Sequence, residues 1–488
     1  MFEFRCTEEV PHDYQPQTLP AYKDSGVEWL GKVPEHWVVR RLKNAARVLM
    51  GQSPSSNDCS VERIGLPFLQ GCAEFGVEYP QPKQFCKAPS KVSPAGAILM
   101  SVRAPVGRLN TADQEYGIGR GLCAIVPHPG LYHSRFIRFG VIVCLEGLAV
   151  LSTGSTYDAV SVADVAGLRI PLPPLPEQAL IVHFLDWTER RLRKAISLRQ
   201  KRIKLLEEYK QALINEAVTG KIDVRTGKPY PAYKDSGVEW LGKVPEHWEV
   251  RHLKRIVSEP ITDGPHETPK LLDNGIDFIS AEAMVNGRID FEKRRGYISN
   301  EDHEYFCKKI KPQFNDIFMC KSGATTGKVV ILDIDKEFSV WSPLALIRVN
   351  LIITYPSFTF KALQSSYIQD QVKTKWSAGT QPNLSMNDMK FLFISLPPLP
   401  EQAAIVEYLN KRCAKIDSAI TSDRKVIELL KEFRTRLIAD VVTGKLDVRD
   451  VAEKLPEEPE EEMEPIEGET EEKEASEIDA LSEEETDE

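Results

Sequence analysis

The chain has 488 residues, 42% apolar and 27% charged, with a formal net charge of −10. That length admits several domains. No apolar run reaches the roughly 20 residues that cross a bilayer; the stretch 141–151 is interrupted by Glu146. Nine scattered cysteines without a Cys-x-x-Cys pair argue for a reducing cytoplasm and against a zinc site. The N-terminus, Met1-Phe2-Glu3-Phe4-Arg5-Cys6, lacks the charged-then-apolar pattern of a leader. The acidic balance is local: residues 453–488 hold 19 acids and 2 bases, which leaves 60 bases against 53 acids in the remainder. A mildly basic body with an acidic tail follows.

Residues 1–20, with Pro11, Pro16 and Pro20, read as an extended lead. The block at 21–44, AYKDSGVEWLGKVPEHWVVRRLKN, recurs at 232–255 with 21 of 24 positions identical, and a repeat must be settled before any fold. Each block precedes a variable region, about 45–171 and 256–395. Short apolar runs such as Ala97–Val102, Cys123–Val126, Val329–Leu332 and Ala345–Val349 alternate there with polar turns, which predicts mixed α/β domains. Trp29, Trp37, Trp240 and Trp248 recur between the blocks and are expected to pack in the core.

Two long helix patterns, 224 positions apart, organise the rest. Leu172-Pro173-Pro174-Leu175-Pro176-Glu177-Gln178 opens the first, and Val218-Thr219-Gly220-Lys221 closes it. Leu396-Pro397-Pro398-Leu399-Pro400-Glu401-Gln402 and Val442-Thr443-Gly444-Lys445 bound the second. Pro176 and Pro400 suit the first helical position, Glu177 and Glu401 the positive end of the helix dipole, and Gly220 and Gly444 a left-handed stop. Between these ends runs a 4-3 stripe: Leu185, Glu189, Leu192, Ile196, Arg199, Ile203, Leu206, Lys210, Leu213, Ala217. Its counterpart is Leu409, Cys413, Ile416, Ile420, Asp423, Ile427, Leu430, Arg434, Leu437, Val441. One narrow apolar seam per helix is coiled-coil patterning, over rods of roughly 60 Å. Two equal rods bury their seams most simply against each other. An antiparallel pair would bring Arg199 to Asp423, a charge pair expected to fix register.

The linear boundaries implied are 1–171 and 221–395 for two globular domains, 172–220 and 396–446 for the helices, and 447–488 for a disordered acidic tail. Residues 219–231 and those after Asp447 read as linkers. The run 190–204, RRLRKAISLRQKRIK, carries eight bases and no acid. It fits either a solvated helix face or a strip facing phosphates.

The repeated Y-K-D-S-G-V-E-W-L-G-K-V-P-E-H-W block, the L-P-P-L-P-E-Q lead-in and the V-T-G-K exit resemble the DNA-specificity subunit of a type I restriction-modification enzyme, over residues 21 to about 449. That resemblance implies two target-recognition domains on two conserved antiparallel helices. Each domain would read one half of a bipartite site in double-stranded DNA, with the helices setting the gap. It also implies two methyltransferase (modification) subunits docked on the helices, and ATP-dependent restriction subunits beyond them. S-adenosylmethionine and ATP with magnesium would then belong to the partners, and no cofactor to this chain. Thr262-Asp263-Gly264-Pro265-His266 resembles an early turn of such domains, with Gly51-Gln52-Ser53-Pro54 in the matching place. Arg120-Gly121-Leu122 and Gly379-Thr380-Gln381-Pro382-Asn383-Leu384-Ser385 resemble two further family segments, the latter facing Gly154-Ser155-Thr156 in the first domain.

Reading bases needs side chains with paired donors or acceptors. The loop candidates are Gln52, Arg103, Arg108 and Arg120 in the first domain, and Lys321, Thr325, Thr326, Lys328, Gln381 and Asn383 in the second. Ser322, Thr326 and Ser155, on glycine-flanked loops, suit phosphate contacts. Ser53, Thr156, Thr262, His266 and Thr380 join them through the family segments. Each also has a plain reading as a solvated or structural polar residue. Asp263 and His266 are explained by a capped Asp-Gly turn. Gly323-Ala-Thr-Thr-Gly327-Lys328 has three intervening residues rather than four and lacks the closing Ser/Thr of a phosphate loop. Gly117-Ile-Gly119-Arg-Gly121 lacks a dinucleotide context, and no Asn-Pro-Pro-aromatic segment is present. Glu208-x-Lys210 looks like a nuclease fragment but falls in the long helix. The expectation is therefore a protein without catalytic or metal-binding residues. A stand-alone methyltransferase or nuclease, or a DNA-mimicking scaffold suggested by the tail, are the competing readings.

Overall fold

The computed structural model describes residues 21–55, 58–151, 160–376 and 382–457, with the backbone alone for 146–151. The chain divides into two compact units, Met1–Arg202 with Asp423–Glu488, and Ile203–Ser422. These bounds differ from the linear ones, because each unit takes one end of both long helices. The helices are Leu175–Val218 and Leu399–Val442, each of 44 residues. Gly220 and Gly444 follow them at φ +75°, the left-handed stop that only glycine adopts without strain.

In the first unit a four-stranded antiparallel sheet has the spatial order Leu109–Thr111, Ile98–Ser101, Leu122–Pro127, Ala46–Met50. A second sheet of five strands includes one parallel pair, Leu66–Leu69 with Tyr116–Ile118. The helix Ser134–Leu151 and the strand Arg169–Leu172, paired with Val38–Arg41, carry the chain to the first long helix. Trp37, Phe136, Ile170, Leu185 and Val441 share the core, so the sheet, the repeated block and both long helices bury apolar surface together.

The second unit repeats this frame. Its four-stranded sheet runs Val329–Ile331, Ile317–Cys320, Leu344–Ile347, Thr262–Asp263, the same order strand for strand. A parallel pair again marks the second sheet, Ile276–Ile279 with Ser339–Val340. The block strand Glu249–His252 pairs with Phe393–Leu396. Trp248, Phe358, Ile394, Leu409 and Ala217 share its core. The four runs read as strands from the sequence are all strands, within a residue or two at their ends.

Within the first unit, Glu189 contacts Arg434 and Arg199 contacts Asp423, so the partner helix falls in number as the first rises and the two run antiparallel. Arg199 Nη1 lies 3.0 Å from Asp423 Oδ1. Arg202 Nε sits 3.3 Å from the other oxygen, an ion contact without an aligned hydrogen bond. Within the second unit, Lys210 Nζ is 2.6 Å from Asp417, which assigns that lysine to the helix seam.

Three expectations need correction. Trp37 and Trp248 are buried, but Trp29 is half-buried and Trp240 is 42% exposed. Trp37 and Trp248 each meet a glutamate at a helix start, whereas Trp29 and Trp240 sit in the preceding turns. Residues 219–231 are folded: Tyr230 is buried and Asp223 pairs with Arg225 at 2.8 Å. Likewise 447–457 is ordered, with a short helix Arg449–Ala452 and Val448 and Ala452 buried. Both segments carry an Asp-x-Arg that ties them to a helix start, a pairing across sequence that composition does not reveal. Residues 458–488 lie outside the described residues. Among the described residues, no helix is long and apolar enough to cross a membrane.

Candidate nucleic-acid interface

The repeated motifs assemble into two equivalent junctions. In the first unit the Trp37 indole N–H donates to Glu177 Oε1 at 3.0 Å and His36 Nε2 lies 2.9 Å from Oε2. Arg449 approaches the same carboxylate at 3.9 Å while pairing with Asp447. In the second, Trp248 donates to Glu401 at 3.0 Å, His247 lies at 2.8 Å, and Arg225 at 3.5 Å. Tyr230 adds a fourth group, its hydroxyl donating at 3.0 Å. Burial pushes the Glu401 carboxyl up, but donors from Trp248, His247 and Tyr230 outweigh it and hold it below the usual carboxylate range. The Arg225 and Arg449 guanidiniums hold Asp223 and Asp447 below that range too.

The next residue of each lead-in clamps the neighbouring helix. Gln178 Oε1 accepts from the backbone N–H of His133 at 2.9 Å, and Gln402 Oε1 from that of Tyr355 at 2.9 Å. Their amides donate to the Pro173 and Pro397 carbonyls, both at 2.8 Å. At the opposite helix ends, a Cβ on Gly444 would lie 2.5 Å from Pro34 Cδ, and one on Gly220 2.4 Å from Pro245 Cδ. Tyr22 and Tyr233 donate to the carbonyls of those glycines at 3.0 and 3.1 Å. The repeated block thus joins the start of one long helix to the end of the other. Glu177 and Glu401 were read as dipole partners alone. The recurrence of His-Trp and Pro-Glu-Gln in both halves was the available signal, but their separation differs, 140 positions in the first half and 153 in the second.

The remaining candidates gather at one edge of each four-stranded sheet. In the first unit Gln52 and Ser53 follow Ala46–Met50, the loop 102–108 follows Ile98–Ser101, and Arg120 precedes Leu122–Pro127. The Gln52 N–H donates to the Ile118 carbonyl at 2.9 Å, Val102 N–H to Gly121 at 2.9 Å, and Gln70 Nε2 to Ser53 Oγ at 3.3 Å. A Cβ on Gly51 would lie 2.1 Å from the Gly119 carbonyl oxygen, so this approach requires glycine. Ser101 Oγ donates to the Pro105 carbonyl at 2.6 Å and accepts from Arg108 N–H at 2.9 Å, which closes the loop bearing Arg103 and Arg108. Arg103, Arg108 and Arg120 have exposed side chains. Ser155 and Thr156 lie outside the described residues.

In the second unit the corresponding edge is organised by a carboxylate. Asp263 is only 7% exposed. Lys309 Nζ and Lys321 Nζ each lie 2.7 Å from it, and His266 Nε2 at 3.1 Å. Burial raises its pKa, but the hydrogen bonds and charges of Lys309 and Lys321 more than reverse this. The turn reading is therefore incomplete: besides His266 of its own turn, Asp263 pairs with Lys309 and Lys321 from two other segments. Lys321, read as a base contact, is largely engaged by Asp263. Thr326 Oγ1 donates to the Gly323 and Pro382 carbonyls, and Thr325 Oγ1 sits 3.3 Å from Cys320 Sγ, so both stabilise the loop they belong to. A bridge between Ser322 and Asn383 joins 321–328 to 382–384. Thr262 lies in the edge strand, and Lys328 and Asn383 are exposed. Thr380 and Gln381 lie outside the described residues. No cluster of metal-ligating side chains occurs among the described residues.

The family described as type I restriction modification DNA specificity domain matches residues 34–208 and 245–428, each match taking in most of one long helix. A Methanocaldococcus jannaschii protein named for the MjaX type I restriction enzyme specificity subunit is 37% identical over 199 residues, 40% of this chain and 46% of that relative, so the chain spans less than half of it. The MjaIX specificity subunit of the same organism is 23% identical over 434 residues, 86% of this chain and 96% of the relative. A solved structure bearing on complex assembly and conformational transition of the type I R-M system shares the fold at TM-score 0.63 and 19% identity, covering 85% of this chain and 99% of that one.

Proposed function

Because the chain belongs to the family of type I restriction-modification DNA specificity proteins, we propose that its two units each read one half of a bipartite, asymmetric site in double-stranded DNA. The observation that carries this is the pair of sheets with one strand order and chemically different edges. One frame used twice with different loops suits two unlike half-sites. Exposed Arg103, Arg108 and Arg120 on one edge, and Lys328 and Asn383 on the other, supply donors for base edges and phosphates.

In this reading the two long helices form a coiled-coil spacer that sets the gap between half-sites, with the Arg199–Asp423 pair fixing its register. Matched apolar side chains stand exposed on them: Leu205 and Tyr209 on the first, Leu429 and Phe433 at the positions 224 residues later. Two copies of a methyltransferase subunit would dock there, and restriction subunits would join that assembly. Methyl transfer from S-adenosylmethionine and ATP-driven work would belong to those partners in the cytoplasm, leaving this chain without catalytic residues.

Co-expression with a modification subunit, followed by genome-wide mapping of methylated positions, is expected to return one bipartite asymmetric motif. Replacing residues 256–395 should change one half alone. Methyl transfer by the purified chain without a second subunit would overturn the assignment.

A further inference from the structure

The sheet edge of the second unit extends beyond the residues its family segments single out. A Cβ on Gly264 would lie 2.4 Å from the Val340 carbonyl oxygen and 2.6 Å from that of Trp341, so the segment 340–343 runs directly against the Asp263-Gly264 turn. The Ser342 N–H donates to the Pro265 carbonyl at 3.2 Å, and Lys321 N–H to that of Pro343 at 2.8 Å. Trp341 therefore lies between the turn and the Lys321 loop. On its ring, 4.1 Å from the centroid, rests the guanidinium of Arg295. Its neighbour Arg294 is engaged instead by Asp277. Arg295 is exposed and its backbone N–H is held by the Phe278 carbonyl at 3.0 Å. On the far side of the turn Lys309 bridges the Asp263 carboxylate and the Gly264 carbonyl, at 2.7 and 3.1 Å, with 43% of its side chain exposed.

We infer that Arg295 and Lys309 are DNA-contacting residues of the second unit, flanking the 263–266 turn, and that Trp341 and Asp263 are their positioning residues. This rests on the proposed DNA-reading function. An aromatic face holds a guanidinium plane in one orientation and leaves its N–H fork directed outward. A buried carboxylate in a basic surface repels phosphate unless it is neutralised. Here Lys321 neutralises Asp263 from within, so Lys309 presents net positive charge at a fixed place. Neither cation lies in a repeated motif.

The test uses the full chain co-expressed with a modification subunit. A duplex motif is first selected from a random-sequence library by the unaltered complex, and a scrambled duplex serves as control. Arg295→Gln and Lys309→Gln are each expected to weaken specific binding about tenfold and to lower the salt slope by about one. Trp341→Phe should retain affinity and Trp341→Ala should match Arg295→Gln. Asp263→Asn should reduce the ratio of specific to scrambled binding while leaving scrambled binding at least as strong. If no motif is selected, the DNA-reading function itself fails. If a motif is selected but Arg295→Gln and Lys309→Gln keep full affinity and slope, the contacts assigned here are wrong. An unchanged ratio in Asp263→Asn, or Trp341→Ala binding like the unaltered complex, would overturn the positioning roles.

Discussion

Glu177 in the first unit and Glu401 in the second receive their tryptophan and histidine partners at distances that agree within 0.1 Å. A short walk away, at the sheet edges, the same comparison fails at nearly every side chain. The first unit places an uncharged Gly51-Gln52 where the second places Asp263 with two lysines and a histidine around it. The difference separates two demands. A junction between helix ends must satisfy buried donors and acceptors, and few residue sets do so. The exposed side chains of an edge have no such constraint and are free to follow what they contact.

The comparison can be broken at the junctions first. Trp37→Ala and Trp248→Ala each remove a fully buried indole and its bond to a buried carboxylate. Each should cost about 3–5 kcal/mol, read as a lowered urea midpoint with probes placed in the affected unit. A loss in one unit only would mean that the two junctions are not equivalent. The helix pair comes next. Arg199→Ala together with Arg202→Ala leaves Asp423 buried without a partner and should cost about 3 kcal/mol. Arg199→Asp with Asp423→Arg should recover stability that either single change loses.

Acid should sharpen the same contrast. The Glu401 carboxyl titrates below its unfolded value, so its contribution is complete above the ordinary glutamate pKa of about 4.3 and is lost as pH falls through the depressed one. Stability of the second unit is expected to fall as pH drops below about 4.5, and Glu401→Gln should flatten that part of the profile. The smallest effect lies at the caps. Ser161 accepts from Asp164 N–H, and Ser385 from Asp388 N–H, 224 positions on. Ser161→Ala and Ser385→Ala should each cost about 1 kcal/mol, equally in both units.

Much of this frame was legible because it is periodic. Nearly identical 24-residue blocks, helix boundaries repeated 224 positions apart and an apolar stripe identify two equal helices, and Leu192, Ile196, Leu409 and Ile420 are buried where the stripe places them. Local stops were legible too, since Gly220 and Gly444 answer to backbone geometry within one turn. Asp223-x-Arg225 and Asp447-x-Arg449 were misread as parts of linkers. Their charge pairing is local, but the glutamate that each arginine meets lies 176 or 272 positions away and is close at hand only in the fold.

The sequence by itself determined the doubled frame, the helix lengths, the seam and the family, all of which are written in spacing along the chain. Only the tertiary structure decided that Trp37 meets Glu177, that Lys309 and Lys321 converge on Asp263, and that Arg295 lies on Trp341. Those pairings join segments whose separation in sequence carries no period. They are chosen by which buried charge finds a partner once the sheets and helices have packed.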